Sequence, residues 1–347
     1  MLNVLHLPLN IASQMSATVR ALRDLGVAAQ GIVWGNAITQ EAIGLRQFQA
    51  LSRAVPEYRR YPVRLRDLAI VLRAIMAANV VHWHFATPAL PFALDVKVAR
   101  HLGKGCIVEF WGSDIRVPAI EAADNPYYAA IQNNNEYSTM ESSELSRQRQ
   151  TIFAGAAAIA TTGMREHVLP ALFTQVYNVR QRVYLADYLA VFPDPHQTVP
   201  LVIHSPTAPI LKGTSVVLDA LQKLAQMQEF DFQLVQGASH RQAKELLQRC
   251  DVYIDQVRGG SHGVAAVEAM AYGKPVICYL KPTVIPQYPP EIPIVNANPD
   301  NLTEVLASLL ADSRLRHELG RRGRAYVEHY HDAKLLAGQL VQIYDEL

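Results

Sequence analysis

The sequence predicts an α/β protein of two domains, each with a parallel β-sheet that helices cover on both faces. Short apolar runs alternate with amphipathic helical stretches along the chain, and this alternation is typical of parallel sheets. The 347 residues exceed one domain of ordinary size and fit two. The stretch VFPDPHQTVP carries three prolines in ten residues between two such α/β series, so it predicts a linker.

The first series begins with NVLHL, a predicted strand, and continues into SQMSATVRALRDLG, a predicted helix. Val19, Leu22 and Leu25 form one apolar stripe on that helix, and Gly26 is placed to end it. GIVW, VVHWHF, CIVEF and AAAIATTG follow as predicted strands. The polar segment 125–149 predicts a loop followed by an exposed helix.

The second series alternates in the same way. Its predicted strands are LVIHS, FDFQLVQG, DVYID and PVICYL, and its predicted helices are GTSVVLDALQKL and SHRQAKELLQRC. Ser239 and Gln242 have the spacing of a capping box at the start of the second helix. The pattern of residues 301–347 is mostly helical. The expected domains are 1–195 and 200–330, followed by a terminal helix at 331–347.

Composition and charge narrow the classes of function. Half of the residues are hydrophobic, 18% are charged, and 32 Lys and Arg nearly balance 31 Asp and Glu. This is a globular profile with no sign of a nucleic-acid partner. Three cysteines lie far apart without CxxC spacing, which favours a reducing cytoplasm over disulfides or a zinc site. The first ten residues lack a signal-peptide pattern, and no apolar run reaches the roughly 18 residues of a spanning helix. We therefore expect a cytoplasmic protein.

One stretch suggests contact with a membrane surface. RRYPVRLRDLAIVLRAIM holds five arginines against one acid, with Leu65, Leu68 and Leu72 at helical spacing. Basic amphipathic helices of this kind dock on anionic lipid, which makes Arg59–Arg73 a candidate for peripheral membrane contact. The alternative is an ordinary domain helix with a solvated basic face.

The stretch RGGSHGVAAVEAMAYGKPVICY has the features of a phosphate-binding loop. Its glycines, Gly259, Gly260 and Gly263, lie between the predicted strand DVYID and a helix of small residues. Glycines allow the backbone to approach a ligand closely, and a helix N-terminus suits a phosphate. Glu268 lies about one turn inside the helix, where its carboxylate can accept hydrogen bonds from ribose hydroxyls. The alternative is a tight loop in which Glu268 pairs with a core group.

A second loop strengthens the ligand hypothesis. HSPTAPILKGTSVVLDAL also joins a strand to a helix, with Lys212, Gly213 and Thr214 at the helix start. Lysine offers a point charge to a phosphate and threonine can cap a helix, although a single lysine at a loop end is more often only solvated. Two such loops at equivalent strand ends favour a bound phosphate.

At these residues the sequence resembles a known family. KGTSVVLDALQKL followed by EAMAYGKPVI is similar to the nucleotide-sugar half of retaining GT-B glycosyltransferases of the "glycosyl transferases group 1", GT4-like, kind. ALRDLG, FWGSDIR and NLTEVLASLLADSRLRHELGRRGRAYV extend the resemblance over nearly the whole chain. It implies two Rossmann-like domains facing across a cleft, with the donor on the C-terminal domain and the acceptor on the other. It also implies that the terminal helix, LLAGQLVQIYDEL, crosses back to the first domain.

The resemblance assigns donor-side roles to several positions. Glu268 matches the second acid of the family's E-x7-E motif, which binds the donor ribose, and Lys212 matches its pyrophosphate-binding lysine. The backbone of Ser261, His262 and Gly263 stands where the family presents N–H groups to the donor, and Thr214 follows the lysine.

Two positions depart from the family pattern. Gly260 stands where the first acid of the motif falls, and SPTAPIL, before the lysine, lacks the usual arginine. The first acid normally contacts the transferred sugar, and the arginine helps to neutralise the leaving diphosphate. Asp255, Gln256 and Arg258 are the nearby residues that could substitute.

The first domain supplies candidates for the acceptor side. LPLNIASQ follows the first strand and offers Asn10, Ser13 and Gln14, in a turn where the family often carries glycines. WGSDIR follows another strand and offers Asp114 and Arg116. Asp114 could instead cap a helix.

His82 and His84 point the same way from one predicted strand, which raises the question of a metal site. No third ligand has a recognisable spacing, so we predict no metal here. His84, near the strand end, is expected to be a polar residue of the cleft and His82 a core residue.

The sequence and the resemblance together predict a retaining, metal-independent hexosyltransferase without a cofactor. It would move a sugar from a nucleoside diphosphate sugar to a glycan, lipid-linked or small-molecule acceptor. In the family, front-face attack lets the donor's own β-phosphate accept the acceptor's proton, so the protein mainly positions groups and stabilises charge. Gly260 and the missing arginine motivate an alternative, a non-catalytic GT-B protein that binds sugar nucleotides or a partner. A nucleotide-sugar epimerase of the same fold is a third hypothesis.

Overall fold

The computed structural model describes residues 2–34, 43–48, 65–133 and 141–347. These residues divide into two compact units. The first holds the described residues up to Val117, together with Glu141–Tyr184 and Ala333–Leu347. The second holds residues 118–133 and Leu185–Asp332, so it begins before the proline-rich stretch at which the sequence predicted a boundary.

Each unit contains a parallel sheet. The strands of the first unit are β1 (Asn3–Leu7), β2 (Ala28–Trp34), β3 (Arg46–Phe48), β4 (Val80–His84), β5 (Gly105–Phe110), β6 (Ala157–Ala160) and β7 (Val176–Asn178). Those of the second are β8 (Leu201–His204), β9 (Asp231–Leu234), β10 (Val252–Ile254), β11 (Val276–Cys278) and β12 (Ile294–Asn296). Every strand that the sequence predicted is present. β3 (RQF), β7 (VYN) and β12 (IVN) were not predicted, because each of these short strands contains Arg, Gln or Asn, whereas the equally short β10 and β11 do not.

The strand orders are those of doubly wound folds. Among the described residues the first sheet runs β3-β2-β1-β4-β5-β6-β7, and the second runs β12-β11-β10-β8-β9. In both sheets the strand order reverses beside the first strand, between β1 and β4 in one and between β8 and β10 in the other. Ligands of open α/β sheets bind at such a reversal, outside the carboxyl ends of the strands. The loops that carry Lys212 and Gly263 follow β8 and β10.

Helices connect the strands and cover the sheets. In the first unit they are α1 (Gln14–Asp24), α2 (Leu65–Ala77), α3 (Leu94–His101), α6 (Ser143–Ile152) and α13 (Ala333–Asp345). In the second they are α4 (Pro118–Asp124), α5 (Pro126–Ala129), α7 (Pro209–Lys212), α8 (Thr214–Leu224), α9 (His240–Arg249), α10 (Val264–Ala271), α11 (Leu302–Ala311) and α12 (Ser313–Tyr330). The predicted capping box is confirmed at α9, where Ser239 and Gln242 bond each other's backbone reciprocally.

The terminal helix belongs to the first unit, as the resemblance implied. Leu336 and Leu340 of α13 are buried in one apolar cluster with Val4, Met15 and Val19 from β1 and α1. Burying apolar side chains of this size contributes about 1.5–3 kcal/mol each. Helix α13 is therefore part of the core of the first unit.

The basic stretch proposed for membrane contact is described only in part. Residues 59–64 lie outside the described residues, and α2 begins at Leu65. Every helix in the described part of the chain is too short or too polar to cross a bilayer. Contact of Arg59–Arg73 with a membrane surface stays a prediction.

Candidate functional site

The loop after β8 packs directly on the loop after β10. Gly213 follows the single turn of α7 with a φ of +75°, and a Cβ atom there would lie 2.5 Å from Cγ2 of Val257. This position therefore requires glycine for both its conformation and its space. The Val257 N–H donates to the Lys212 carbonyl oxygen at 3.2 Å. The two loops that the sequence singled out are thus one structure.

A buried carboxylate joins these loops. Oδ1 of Asp255 lies 2.5 Å from Nζ of Lys212, and its Oδ2 accepts the Gly263 N–H at 2.7 Å. Asp255 is fully buried, whereas the Lys212 side chain is 12% exposed. Burial opposes ionisation of Asp255, but the Lys212 charge and the Gly263 N–H outweigh it and hold its pKa below the ordinary value. The ammonium group is fixed at the strand ends by an ionised carboxylate and keeps one side toward solvent.

Thr214 bonds a neighbouring histidine rather than capping its own helix. Its hydroxyl lies 3.0 Å from Nε2 of His204, whose Nδ1 lies 2.8 Å from the Ile254 carbonyl oxygen. A carbonyl only accepts, so Nδ1 carries the proton and Nε2 accepts from the threonine hydroxyl. Burial lowers the pKa of His204 to about 4, so the ring is neutral at neutral pH. His204 and Thr214 thus link β8, β10 and the start of α8 by hydrogen bonds next to Lys212.

Side chains packed beneath the glycine-rich loop before α10 fix its conformation. The side-chain amide of Gln256 donates to the Ser261 carbonyl oxygen, and a Cβ at Gly259 would lie 2.7 Å from that side chain. The His262 N–H donates to the Tyr288 hydroxyl at 3.3 Å, and their two rings stack at 4.9 Å. The N–H groups of His262 and Gly263 therefore already have protein partners. The first N–H groups of α10, from Val264 onward, are the ones that a helix leaves without an internal partner.

Glu268 lies one turn inside α10 and is 7% exposed. Its Oε1 accepts from the Tyr188 hydroxyl at 2.7 Å and lies 3.0 Å from Nε2 of His240, the first residue of α9. Burial and the adjacent carboxylate raise the pKa of Tyr188 well above its ordinary value, so the phenol remains a donor. The carboxylate is held in one orientation by two side chains.

The two departures from the family pattern have structural counterparts. Arg258, on the loop after β10, donates to the Ile210 carbonyl oxygen at 3.3 Å and lies against the loop that carries Lys212. Gly260 has a φ of +74°, and a Cβ there would lie 2.9 Å from Nδ2 of Asn125 and 3.2 Å from Oε1 of Glu121. Arg258 thus places a cation beside the loop that lacks the family's arginine. Glu121 places a carboxylate beside Gly260, where the family's first acid is missing.

In the first unit, the turn after β1 is constrained by its own polar side chains. Asn10 accepts the Ser16 N–H at 3.0 Å, and Gln14 exchanges two 2.9 Å hydrogen bonds with the backbone of Arg182. Ala12 and Ser13 adopt φ values of +45° and +60°. The left-handed region costs non-glycine residues roughly 1–2 kcal/mol, which agrees with the glycines that the family often carries here.

The two histidines of β4 lie in a buried cluster that includes a third, His6 of β1. Nε2 of His84 lies 3.1 Å from Nδ1 of His6, and both His82 and His84 lie within 3.4 Å of Oε2 of Glu109. Glu109 also forms a bidentate pair with Arg182, at 2.8 and 2.6 Å. Burial, with the nearby His82 and Arg182, lowers the pKa of His84 to about 4 against the opposing effect of Glu109. The three neutral imidazoles have ring nitrogens close enough together for metal ligation, a set that the sequence analysis missed because His6 lies on a different strand.

Asp114 and Arg116 lie in the turn after β5. Oδ1 of Asp114 accepts the N–H groups of Trp111 at 3.0 Å and Gly112 at 2.8 Å, so the carboxylate closes this turn rather than capping a helix. Burial outweighs those hydrogen bonds and raises its pKa to about 6. Arg116 pairs with Glu141 at 2.5 Å.

The structure thus brings Lys212, Thr214, Asp255 and Gly263 together at the strand reversal of the second sheet. Tyr188, His240 and His204 are polar residues of this region that sequence reasoning missed. Tyr188 lies far from Glu268 in the chain and shows no motif. His240 had a detectable signal, since Ser239 and Gln242 fix it at the start of α9.

Comparison with solved structures identifies the architecture. Sucrose-phosphate synthase from Thermosynechococcus elongatus is 15% identical, with a TM-score of 0.66 over 99% of this chain and 98% of its own. HepE of Anabaena, in complex with UDP-glucose, is 12% identical with a TM-score of 0.61 over 100% of both chains. WaaG, a glycosyltransferase involved in lipopolysaccharide biosynthesis, is 12% identical with a TM-score of 0.58 over 99% of both. The predicted fold, two Rossmann-like units of the GT-B type, is confirmed.

The family comparison agrees with the fold. The second unit is similar in sequence to a family of glycosyl transferases. Residues 204–326, roughly a third of the chain, match the family described as Glycosyl transferases group 1. This segment begins at His204 on β8 and contains Lys212, Asp255 and Glu268. No curated protein sequence matches the chain.

Proposed function

We propose that the chain is a retaining hexosyltransferase that acts without a metal, on a glycan, lipid-linked or small-molecule acceptor. The observation that carries this proposal is the link from Lys212 through Asp255 to the Gly263 N–H. It fixes a cation and the start of α10 on neighbouring loops at the strand reversal. A diphosphate bound there would meet the ammonium group and the partial positive charge of the helix N-terminus.

These two groups have the properties that the departing diphosphate requires. As the bond between the sugar's C1 and the phosphate oxygen breaks, negative charge grows on the diphosphate. The acceptor oxygen forms the new bond to C1 on the same face, and its proton passes to the departing diphosphate. A fixed cation and aligned N–H groups stabilise that charge without reorganisation, each contributing a few kcal/mol. Arg258 is the second cation in this proposal, in place of the arginine missing before Lys212.

Glu268 is proposed to bind the ribose. Its Oε1 already accepts from Tyr188 and from His240. A carboxylate has about four acceptor sites over its two oxygens, so two hydroxyl donors of a ribose can still be accepted. The orientation set by the two side chains is available before the donor arrives.

Thermal unfolding with a panel of donors tests the proposal. The panel contains UDP, GDP and ADP, each alone and as its sugar conjugate, with UDP-glucose first because Anabaena HepE was solved with it. A ligand at a hundredfold excess over its dissociation constant stabilises the fold by about 2.7 kcal/mol. We expect one nucleotide to raise the midpoint of the wild type and to lose this effect in Glu268→Gln.

The matched control is Glu245→Gln, which makes the same substitution at an exposed position of α9. It should retain the full ligand-induced rise. A wild type that none of the nucleotides stabilises would favour the non-catalytic alternative. For a stabilising donor, the anomeric configuration of the product and the activity in EDTA then test retention and independence from metal.

A further inference from the structure

Three neighbouring strands of the first sheet bring three histidines and a glutamate to one face. In the register of the sheet, His6 of β1 lies beside His82 of β4, and His84 of β4 lies beside Glu109 of β5. Side chains two residues apart on a strand share a face, so the three imidazoles and the carboxylate meet in the core of the first unit. All four side chains are fully buried.

One nitrogen of each β4 ring, its outer nitrogen, faces the carboxylate. Nε2 of His82 and Nδ1 of His84 lie 3.4 and 3.3 Å from Oε2 of Glu109. Arg182 donates to both carboxylate oxygens, so the carboxylate is ionised and only accepts hydrogen bonds. The ring protons are therefore assigned to the two outer nitrogens. A carboxylate in this position is the usual means by which proteins orient histidines that bind a metal.

The inner nitrogens of the same rings then carry lone pairs. Nδ1 of His82 lies 2.8 Å from the Tyr344 hydroxyl, and Nε2 of His84 lies 3.1 Å from Nδ1 of His6. One nitrogen from each of the three rings lies within 4.8 Å of the other two. A tetrahedral zinc ion with bonds of about 2.0–2.1 Å holds its ligand nitrogens roughly 3.3 Å apart. The separation between His6 and His84 is already close to that length.

The hydrogen bonds of this cluster leave His6 incompletely bonded. Its Nε2 is fully buried and has no hydrogen-bond partner in the described part of the chain. Buried polar atoms in native structures normally have a partner, so one without a partner calls for an explanation such as a bound ion. An ion shared with the inner nitrogens of His82 and His84 could bond either ring nitrogen of His6 and would complete the cluster.

We propose that His6, His82 and His84 bind a zinc ion, or a divalent transition-metal ion of similar chemistry, in the core of the first unit. Neutral imidazoles suit zinc, copper and nickel. His6 is the third ligand, which no spacing within the sequence could show because it comes from another strand. The inference is independent of the proposed function, which concerns the loops of the second unit.

Tyr344 provides the nearest candidate for a fourth ligand. Its oxygen lies next to Nδ1 of His82. As a phenolate it would also supply negative charge to the ion, because Arg182 already neutralises Glu109. Four protein ligands leave no position open for a substrate, which is the arrangement of a structural site. The ion would therefore stabilise the first unit and have no part in the metal-independent transfer proposed above.

Refolding with and without zinc tests the inference, because an ion at fully buried ligands enters as the chain folds. The full-length protein is unfolded in guanidinium chloride with EDTA, refolded with zinc sulfate or without metal, and separated from excess ions by gel filtration. We expect about one zinc ion per chain by elemental mass spectrometry, and a higher unfolding midpoint than for the metal-free protein. Refolding with cobalt(II) should give the intense visible absorption of tetrahedral coordination.

His6→Gln and His82→Gln each replace a ligand with a hydrogen-bonding side chain of similar size. Both should lose the ion, the zinc-induced rise in midpoint and the cobalt absorption. His101→Gln, at an exposed position of α3, is the matched control and should keep all three. Zinc retained equally by the wild type and the ligand variants would be adventitious surface binding and would overturn the inference. A wild type that takes up neither zinc nor cobalt would also overturn it. If a ligand variant fails to refold, the metal content and cobalt spectrum of the wild type still decide the matter.

Discussion

Both units hold a buried carboxylate paired with a long cation, but the two pairs differ in their access to solvent. In the first unit Glu109 and Arg182 are both fully buried, and histidines and the Thr18 hydroxyl surround them. In the second unit Asp255 is buried, while the Lys212 side chain is 12% exposed. A pair closed on every side can only support the fold, whereas a pair with one solvent-facing member can also meet a ligand. We therefore expect the Glu109–Arg182 pair to stabilise the first unit, and the Asp255–Lys212 pair to be able to contact a ligand as well.

The largest expected effect comes from breaking the closed pair. Glu109→Gln leaves Arg182 as a buried charge with no ionic partner, and losses of this kind cost about 3–5 kcal/mol. We expect the free energy of unfolding, measured in urea, to fall by that amount. Arg241→Gln, which removes an exposed ion-pair partner on α9, is the control and should change it little. A loss for Glu109→Gln as small as that of the control would show that water reaches the cluster.

The next largest effect is expected from Asp114, in the turn after β5, whose contribution to stability should depend on pH. Burial raises the pKa of Asp114 to about 6 from an ordinary 3.8. The folded state therefore binds this proton more tightly than the unfolded state, and the contribution of Asp114 to stability falls as pH rises from about 4 to 6. Asp114→Asn cannot titrate. Its stability relative to wild type should rise by up to about 3 kcal/mol across that window and then level off.

Denaturation series at pH 4, 5, 6 and 7.5 provide the measurement for Asp114. A difference between the variant and wild type that does not change with pH would contradict the raised pKa. A variant that is more stable but has lost transferase activity would support the acceptor-side role predicted from the sequence.

Breaking the open pair should weaken ligand binding and also lower stability, because it leaves Asp255 as a buried carboxylate without its cation. Lys212→Met removes the cation while keeping an apolar stem. The loss of a charge-assisted hydrogen bond to a phosphate costs roughly 1.5–3 kcal/mol, which is about ten- to a hundredfold in the dissociation constant of the diphosphate. Titration calorimetry measures it, and Lys223→Met, at the far end of α8, is the control. Equal affinities for Lys212→Met and wild type would show that the diphosphate does not contact this residue.

The smallest effect concerns the turn after β1. Ala12 adopts a φ of +45°, so Ala12→Gly should relieve strain and stabilise the protein by about 1 kcal/mol. Ala17→Gly, inside α1, should destabilise it by a similar amount, because glycine is unfavourable in a helix interior. Thermal midpoints distinguish the two changes. A fall for both variants would mean that the turn does not hold a left-handed conformation in solution.

The fold was largely predictable because its signals are local and repeated. Each predicted strand is an apolar run between turn signals, and the capping box at Ser239 is complete within four residues. The proximity of the candidates Lys212 and Gly263 was also predictable, since the carboxyl ends of neighbouring parallel strands lie at the same edge of a sheet. The strand order that makes β8 and β10 neighbours is not a local property, yet the resemblance supplied it.

The residues that the sequence did not predict are brought into place by contacts between distant parts of the chain. Tyr188 and Glu268 are 80 positions apart, and Glu121 lies on a segment for which the sequence predicted no contact with the glycine-rich loop before α10. The histidine cluster was incomplete for the same reason: His82 and His84 share a strand, but His6 joins them only through the pairing of β1 with β4. Neither spacing nor composition encodes such pairings.

The membership of α13 in the first unit has a consequence for the order in which the protein can mature. The apolar cluster under β1 and α1 stays open until residues 333–345 have been synthesised, although most of its other members emerge from the ribosome early. The Tyr344 hydroxyl also provides the partner of Nδ1 of His82, at 2.8 Å. A nascent chain therefore exposes this apolar surface, and leaves Nδ1 of His82 without its tyrosine partner, until residues 333–345 have been made. Full packing of the first unit thus requires that the whole second unit has already been synthesised.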